Sequence, residues 1–155
     1  MTYETAKFIH IVGIVILVGN VTASAMWKFF ADRSRDPVIV GFSQRLVTIT
    51  DWSLTFWGVV LTVIGGYSAA AIGQMNLLSD RWLVLGQELF LVSGVMWVGI
   101  LVPLQIRMAR MARQFKNGGS IPDGYRVASR AWLVVGVAAT VPLVAAMWVM
   151  VMKPT

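Results

Sequence analysis

The sequence predicts an all-α integral membrane protein, a four-helix up-down-up-down bundle forming one transmembrane domain over residues 1–155. Three observations predict it. The chain is 57% apolar and 13% charged, against ~45–50% and ~25% in typical soluble domains. Its mean hydropathy is +0.73, more apolar surface than so short a soluble domain can hide. Its charges mark off four long uncharged or nearly uncharged stretches. Together these exclude a soluble enzyme and a disordered chain. The absence of cysteine excludes a disulfide scaffold, thiolate metal sites and cysteine nucleophiles.

Each stretch is long enough to cross a bilayer. Residues 8–27, between Lys7 and Lys28, carry His10 as their one titratable group. Residues 52–79 carry no charge, 82–106 carry only Glu88, and 131–152 carry none. A run of ~20 residues rising 1.5 Å each spans the ~30 Å hydrocarbon core, whereas barrel strands are ~10 residues long and alternate in polarity. Helices are expected near 5–30, 45–73, 81–114 and 130–152. Ala23-Ser24-Ala25 has the small-x-small form of a cleavage site. The weak charge before it and the length of the apolar run favour a retained first helix. Asp36-Pro37 breaks the first connection, and Asn117-Gly118-Gly119-Ser120 with Ile121-Pro122-Asp123-Gly124 ends a long third helix. Pro142 is expected to kink the fourth.

Orientation follows from the basic residues. Ten of the 13, namely Lys28, Arg33, Arg35, Arg45, Arg107, Arg110, Arg113, Lys116, Arg126 and Arg130, fall in or beside the two connections of one side. The positive-inside rule puts those connections in the cytoplasm and both termini on the outer, periplasmic side of a bacterial inner membrane. Trp27 and Trp132 then mark the inner interface, Trp82 and Trp148 the outer one. The net charge of +6 speaks for the bilayer as partner, not nucleic acid, because it flanks apolar spans. Arg107, Arg110 and Arg113 continue the third helix past the membrane. They suit anionic lipid headgroups, worth ~1 kcal/mol per basic residue, or a docking partner.

Small and polar residues collect where membrane helices touch. The first helix carries such a stripe at Ala6, His10, Gly13, Leu17, Asn20, Ser24 and Trp27. The second matches it with Gln44, Thr48, Asp51, Thr55, Gly58, Thr62, Gly65, Ala69 and Gly73. Both repeat at the ~3.5-residue period of a left-handed packing seam. The third helix turns Gly86, Gln87, Phe90, Ser93, Gly94, Trp97, Leu101 and Gln105 inward, with Glu88 far around from them. The fourth offers Trp132, Gly136, Ala139, Thr140, Leu143, Met147 and Met150.

Few side chains could carry chemistry. His10 is the only histidine, and it lies on the inward stripe. An imidazole there can ligate haem iron or copper or pass protons. It can equally make one structural hydrogen bond to a neighbouring helix. A single histidine cannot ligate both axial positions of haem b. A haem site would need Met147 or Met150, five-coordinate iron, or a haem shared by two copies. Methionine in an apolar helix also serves simple packing. Asp51 lies inward on the second helix, with Arg45, Lys28 and Arg130 as expected partners and a proton or cation site as the other reading. Asn20 near mid-membrane fixes helix register. Glu88 has four readings: it snorkels outward, pairs with Lys7 or Arg81, faces a second copy, or shares a site with His10. The sequence holds no phosphate-binding glycine loop, no His-Glu-x-x-His and no Gly-x-Ser-x-Gly.

Lys7-Phe8-Ile9-His10-Ile11-Val12-Gly13, Arg81-Trp82-Leu83 and Leu101-Val102-Pro103-Leu104-Gln105-Ile106-Arg107-Met108 resemble a bacterial family of small four-helix membrane proteins. That family is described only as predicted integral membrane protein, domain-of-unknown-function family 2269, and implies no activity. The Lys7-x-x-His10-Ile11 opening is also similar to the haem-binding membrane protoporphyrinogen oxidase family and to copper-resistance D type membrane domains. This resemblance implies a haem or metal site at His10. The oxidase family's essential lysine early in its third helix has no counterpart in Trp82-Leu83-Val84-Leu85-Gly86-Gln87, so the oxidase activity does not carry over. Three function classes follow: a non-enzymatic or accessory protein binding haem or a redox metal through His10, a structural or assembly subunit of a larger membrane complex, and a small proton or cation transporter working as a homo-oligomer.

Overall fold

A computed structural model of the chain describes residues 1–154. It holds four helices long and apolar enough to cross a membrane: α1 (Tyr3–Ser34), α2 (Pro37–Ile72), α3 (Arg81–Phe115) and α4 (Asp123–Met152). Two are interrupted by single π-helical turns, Asp51–Thr55 in α2 and Trp97–Leu101 in α3. α4 continues through Pro142 without a break in the helix.

Three boundaries differ from the sequence expectation. α1 runs to residue 34 and α2 starts at 37, not 45. The Asp36 carboxylate accepts the Val38 and Ile39 N–H groups at 2.7 and 3.2 Å, and Pro37 occupies the first turn. A cap and a proline suited to a helix start therefore reduce the connection to Arg35-Asp36, with Arg35 in the left-handed region at φ 58°. α4 starts at 123, not 130, because Tyr125, Ala128, Ser129 and Trp132 form one buried face ahead of the uncharged stretch. Charge marks where an apolar window ends. A helix ends where its caps and buried face end.

α1 and α2 pack along the stripes the sequence marks. Ala6, Gly13, Leu17, Asn20 and Ser24 are buried on α1, and Gln44, Asp51, Thr55, Gly58, Thr62 and Gly65 on α2. The register is antiparallel: Gly65 meets His10, Gly13 meets Thr62, and Leu17 meets Gly58. The glycines are what permit this spacing. A Cβ on Gly13 would lie 2.7 Å from Thr62 Oγ1 and 2.9 Å from the Gly58 carbonyl oxygen. α3 and α4 form a second hairpin, in which Ser93 donates to the Ala139 carbonyl at 2.8 Å and Phe115 stacks edge-on against Tyr125.

The main apolar core lies toward the short connections. Val40, Val47, Leu101, Met108, Ala112, Phe115, Tyr125, Ala128, Trp132 and Ala139 form it, so all but α1 supply its buried members, and Trp27 of α1 packs against it. Residues 56–72 of α2 approach α1 closely but not α3 or α4. A polar bridge crosses there, the Tyr67 hydroxyl donating to Gln87 Oε1 at 2.9 Å. Phe8, Val15, Trp52, Ile64, Leu91, Val95, Val134, Val141 and Trp148 are exposed around the outside, as lipid contact requires.

Candidate functional site

Three polar places interrupt this apolar scaffold. The first is His10, half-buried on α1. Its Nδ1–H donates to the Thr62 carbonyl of α2 at 2.7 Å, since a carbonyl oxygen can only accept. The proton held on Nδ1 leaves the lone pair on Nε2. Gly66 makes room for the ring: a Cβ there would lie 2.9 Å from Nδ1 and 3.0 Å from Cε1. An imidazole whose other nitrogen is held by a carbonyl is the usual posture of a metal-ligating histidine. The same bond is also the structural hydrogen bond the sequence allows.

The other candidates of that half lie elsewhere. Met150 packs on Gly86 of α3, its Sδ 3.4 Å from where a Cβ would stand, and Met147 is half-buried on α4. Glu88 is exposed on α3. α1 and residues 81–96 make no close backbone approach, so His10 and Glu88 stay on separate hairpins. Among the described residues no three His, Cys, Asp or Glu side chains gather as a metal-ion site.

The second place is Asp51, at the start of the α2 π-turn and 8% exposed. Asn20 Nδ2 donates to its Oδ1 at 3.2 Å, and the Thr55 hydroxyl donates to the same oxygen at 3.1 Å. Asn20 Nδ2 also reaches Thr55 Oγ1 at 2.8 Å, and Ser24 lies 3.4 Å from Asn20 Oδ1. The Gln105 amide of α3 faces the carboxylate. The expected ion pairs do not form. Arg45 and Arg130 are exposed, Lys28 pairs with Asp32, and among the described residues no base lies within pairing distance of Asp51. Lys28 finds a closer partner, Asp32, one turn along its own helix.

That partner belongs to the third place, which sequence reasoning missed. Lys28 is fully buried, its Nζ 3.4 Å from Asp32 Oδ2 and donating to the Tyr125 hydroxyl at 3.1 Å. It also lies over the Tyr125 and Trp132 rings, 5.1 and 5.9 Å from their centroids. Tyr125 donates onward to Gln44 Oε1 at 3.2 Å, and Ser129 donates to Asp32. The network ties α1 to α2 and α4. The signal was present as Lys28-x-x-x-Asp32, the spacing of a same-face ion pair, followed by Tyr125 and Ser129 on one face of α4. Arg107, Arg110 and Arg113 are exposed along α3, opposite buried Met108, Ala112 and Phe115.

Comparison with known proteins agrees with a membrane assignment. The family model described as predicted integral membrane protein (DUF2269) matches residues 4–154. An undecaprenyl-diphosphatase of Geotalea daltonii is 25% identical over 111 residues, 69% of this chain and 41% of that protein. The chain thus spans less than half the length of that curated relative. No solved structure matches.

Proposed function

On the premise that the chain belongs to the DUF2269 family of predicted integral membrane proteins, we propose that it is a small haem-binding protein of the bacterial cytoplasmic membrane. The observation that carries this reading is the Nδ1–H bond from His10 to the Thr62 carbonyl, which turns the Nε2 lone pair free. His10 would hold the iron through that atom. Haem, when bound, supplies one-electron redox chemistry or a gas-ligand site.

The ligand class follows from the donors. A bare copper or other metal ion would need several protein ligands, and the described residues gather no such group. A porphyrin brings four nitrogens and asks the protein for one axial ligand. Residues 56–72 make no close backbone approach to α3 or α4, which supports a flat ligand in the same half as His10. Met147 and Met150 sit on the other hairpin, from which either would have to reach across to serve as a sixth ligand.

The up-down-up-down orientation with both termini outside rests on the ten basic residues at one end. The undecaprenyl-diphosphatase similarity supports the cytoplasmic membrane as the location. Anionic lipids would meet the exposed Arg107, Arg110 and Arg113, along with a groove lined by Arg45, Arg113 and Lys116 between α2 and α3. The test is the visible spectrum of protein purified from haem-replete membranes, beside His10→Ala. A Soret band lost in the variant supports the reading, and a colourless wild type contradicts it.

A further inference from the structure

Arg45 sits on a face of α2 that is otherwise apolar. Val38, Phe42 and Ile49 share that face with it, at spacings of three and four residues, and all four are exposed. A charge set between apolar side chains on a spanning helix needs an anion or a route to water. Arg45 has no ion-pair partner among the described residues. It borders a groove of about 410 Å³ between α2 and α3, and no acidic residue lines that groove.

Arg113 and Lys116 of α3 line the same groove. Both are exposed, and neither makes an ion pair among the described residues. Two contacts fix how the helices align. A Cβ on Gly41 would lie 2.8 Å from Lys116 Cβ, and further along α2 Asp51 faces the Gln105 amide. Residue numbers rise on α2 as they fall on α3, so the pair is antiparallel. Arg45 stands four residues past Gly41 and Arg113 three before Lys116. The two arginines are therefore level to within ~1.5 Å along the axis, and Lys116 lies ~4.5 Å nearer the end where α2 starts and α3 stops. Three positive charges at two levels border one groove, and Gly41, Ala109 and Ala112 leave room between them.

The charge and the surroundings together select the occupant. An anion here must lie against Phe42 and Ile49 as well as the cations, which suits an amphiphile. Guanidinium groups bind phosphate oxygens as a fork, and basic pockets between membrane helices take lipid headgroups that carry several charges. One phosphodiester would leave two of the three cations uncompensated. Two phosphodiesters joined through one glycerol leave only one, and the three-carbon bridge separates them enough to serve both levels.

We propose that the groove between Arg45 and Arg113–Lys116 is a specific site for one phospholipid bearing two phosphates, with its headgroup bridging α2 and α3. The inference rests on the anionic-lipid contact proposed above and sharpens it: Arg107 and Arg110, outside the groove, serve any anionic lipid, whereas the groove selects one. It is independent of His10 and of haem.

The test uses the full chain purified in an uncharged detergent. Cardiolipin, phosphatidylglycerol at equal phosphate, or phosphatidylcholine is added. The thermal midpoint is followed, and bound lipids are counted by native mass spectrometry. Cardiolipin should raise the midpoint saturably with one molecule per chain, phosphatidylglycerol should bind at least ten-fold more weakly, and phosphatidylcholine should do nothing. Arg45→Gln with Arg113→Gln should weaken cardiolipin binding at least ten-fold, while Arg107→Gln with Arg110→Gln should leave it unchanged. Equal binding of phosphatidylglycerol overturns the two-phosphate site and leaves the general lipid contact standing; no effect of either anionic lipid overturns both. Equal losses in the two double variants overturn the groove as the site. Inorganic diphosphate reproducing the shift, or a dimer that the Arg45 and Arg113 changes dissociate, assigns the groove to a soluble anion or to a second copy and overturns the proposal as well.

Discussion

Asn20 on α1 donates its side-chain amide to the Asp51 carboxylate of α2 across 3.2 Å, and the same nitrogen reaches Thr55 Oγ1 at 2.8 Å. One amide thus pins the register of the two helices at the point where α2 leaves regular α-geometry. Interhelical hydrogen bonds in membranes average ~0.6 and reach ~1.7 kcal/mol. Asn20→Ala should therefore lower stability by about 1 kcal/mol in detergent unfolding. Adding Thr55→Ala should cost less than the sum of the two single changes, because both donate to one oxygen.

The α1–α2 seam depends on close backbone approach, and the glycines differ in what surrounds them. A Cβ on Gly13 meets Thr62 Oγ1 at 2.7 Å and the Gly58 carbonyl at 2.9 Å, whereas one on Gly19 meets nothing within 4 Å. Gly13→Ala should destabilise by about 1–3 kcal/mol through overpacking. Gly19→Ala should be neutral or stabilise by up to ~1 kcal/mol, as alanine does in a helix interior. Thermal unfolding of the two variants side by side checks this contrast.

The buried ion pair predicts an asymmetry. Lys28 is fully buried, while the Asp32 side chain is 22% exposed. Asp32→Asn strands the ammonium among Tyr125, Trp132 and Gln44, where an uncompensated charge costs roughly 3–5 kcal/mol. Lys28→Met removes the buried charge and leaves Asp32 in reach of water and bonded to Ser129. The aspartate variant should therefore be the less stable of the two, by at least about 1 kcal/mol, in denaturant titration. Equal losses would mean that the charge is solvated in the folded protein.

Much of the fold was legible because membrane helices announce themselves by composition. The α1 and α2 stripes, read at 3.5-residue spacing, hold most of the residues buried along the α1–α2 seam, whereas Gly73 is exposed and Lys28, Ala31, Val40, Gly41, Ser43, Val47 and Ala70 are buried off the stripes. Ser93 and Gln105 also lie inward as their spacing implies. What was not legible has physical causes. Helix ends at Ser34, Pro37 and Asp123 are set by a capping aspartate and a buried aromatic face, which hydropathy does not register. Partner choice was misread for Lys28 because an i,i+4 contact to Asp32 is shorter than any reach across the bundle to Asp51. The π-turns left no mark in periodicity, since one extra residue in a turn shifts the phase too little to see in one span.

Orientation has a direct test because the chain contains no cysteine. Asn117→Cys, in the α3–α4 connection, should react with a membrane-impermeant maleimide only after the cells are permeabilised. Ser79→Cys, in the α2–α3 connection, should react in intact cells. The reverse pattern would place the basic end outside, against the distribution of lysine and arginine.

Haem titration of the purified protein bears most directly on the role of His10. Added to the wild-type chain in detergent, haem should give a saturable Soret shift with a fixed stoichiometry, one haem per chain or one per two chains. In His10→Ala, with unchanged helix content by circular dichroism, that saturable shift should vanish. A shift of the same size and midpoint in His10→Ala would contradict ligation by His10 and leave its bond to the Thr62 carbonyl as a packing contact alone.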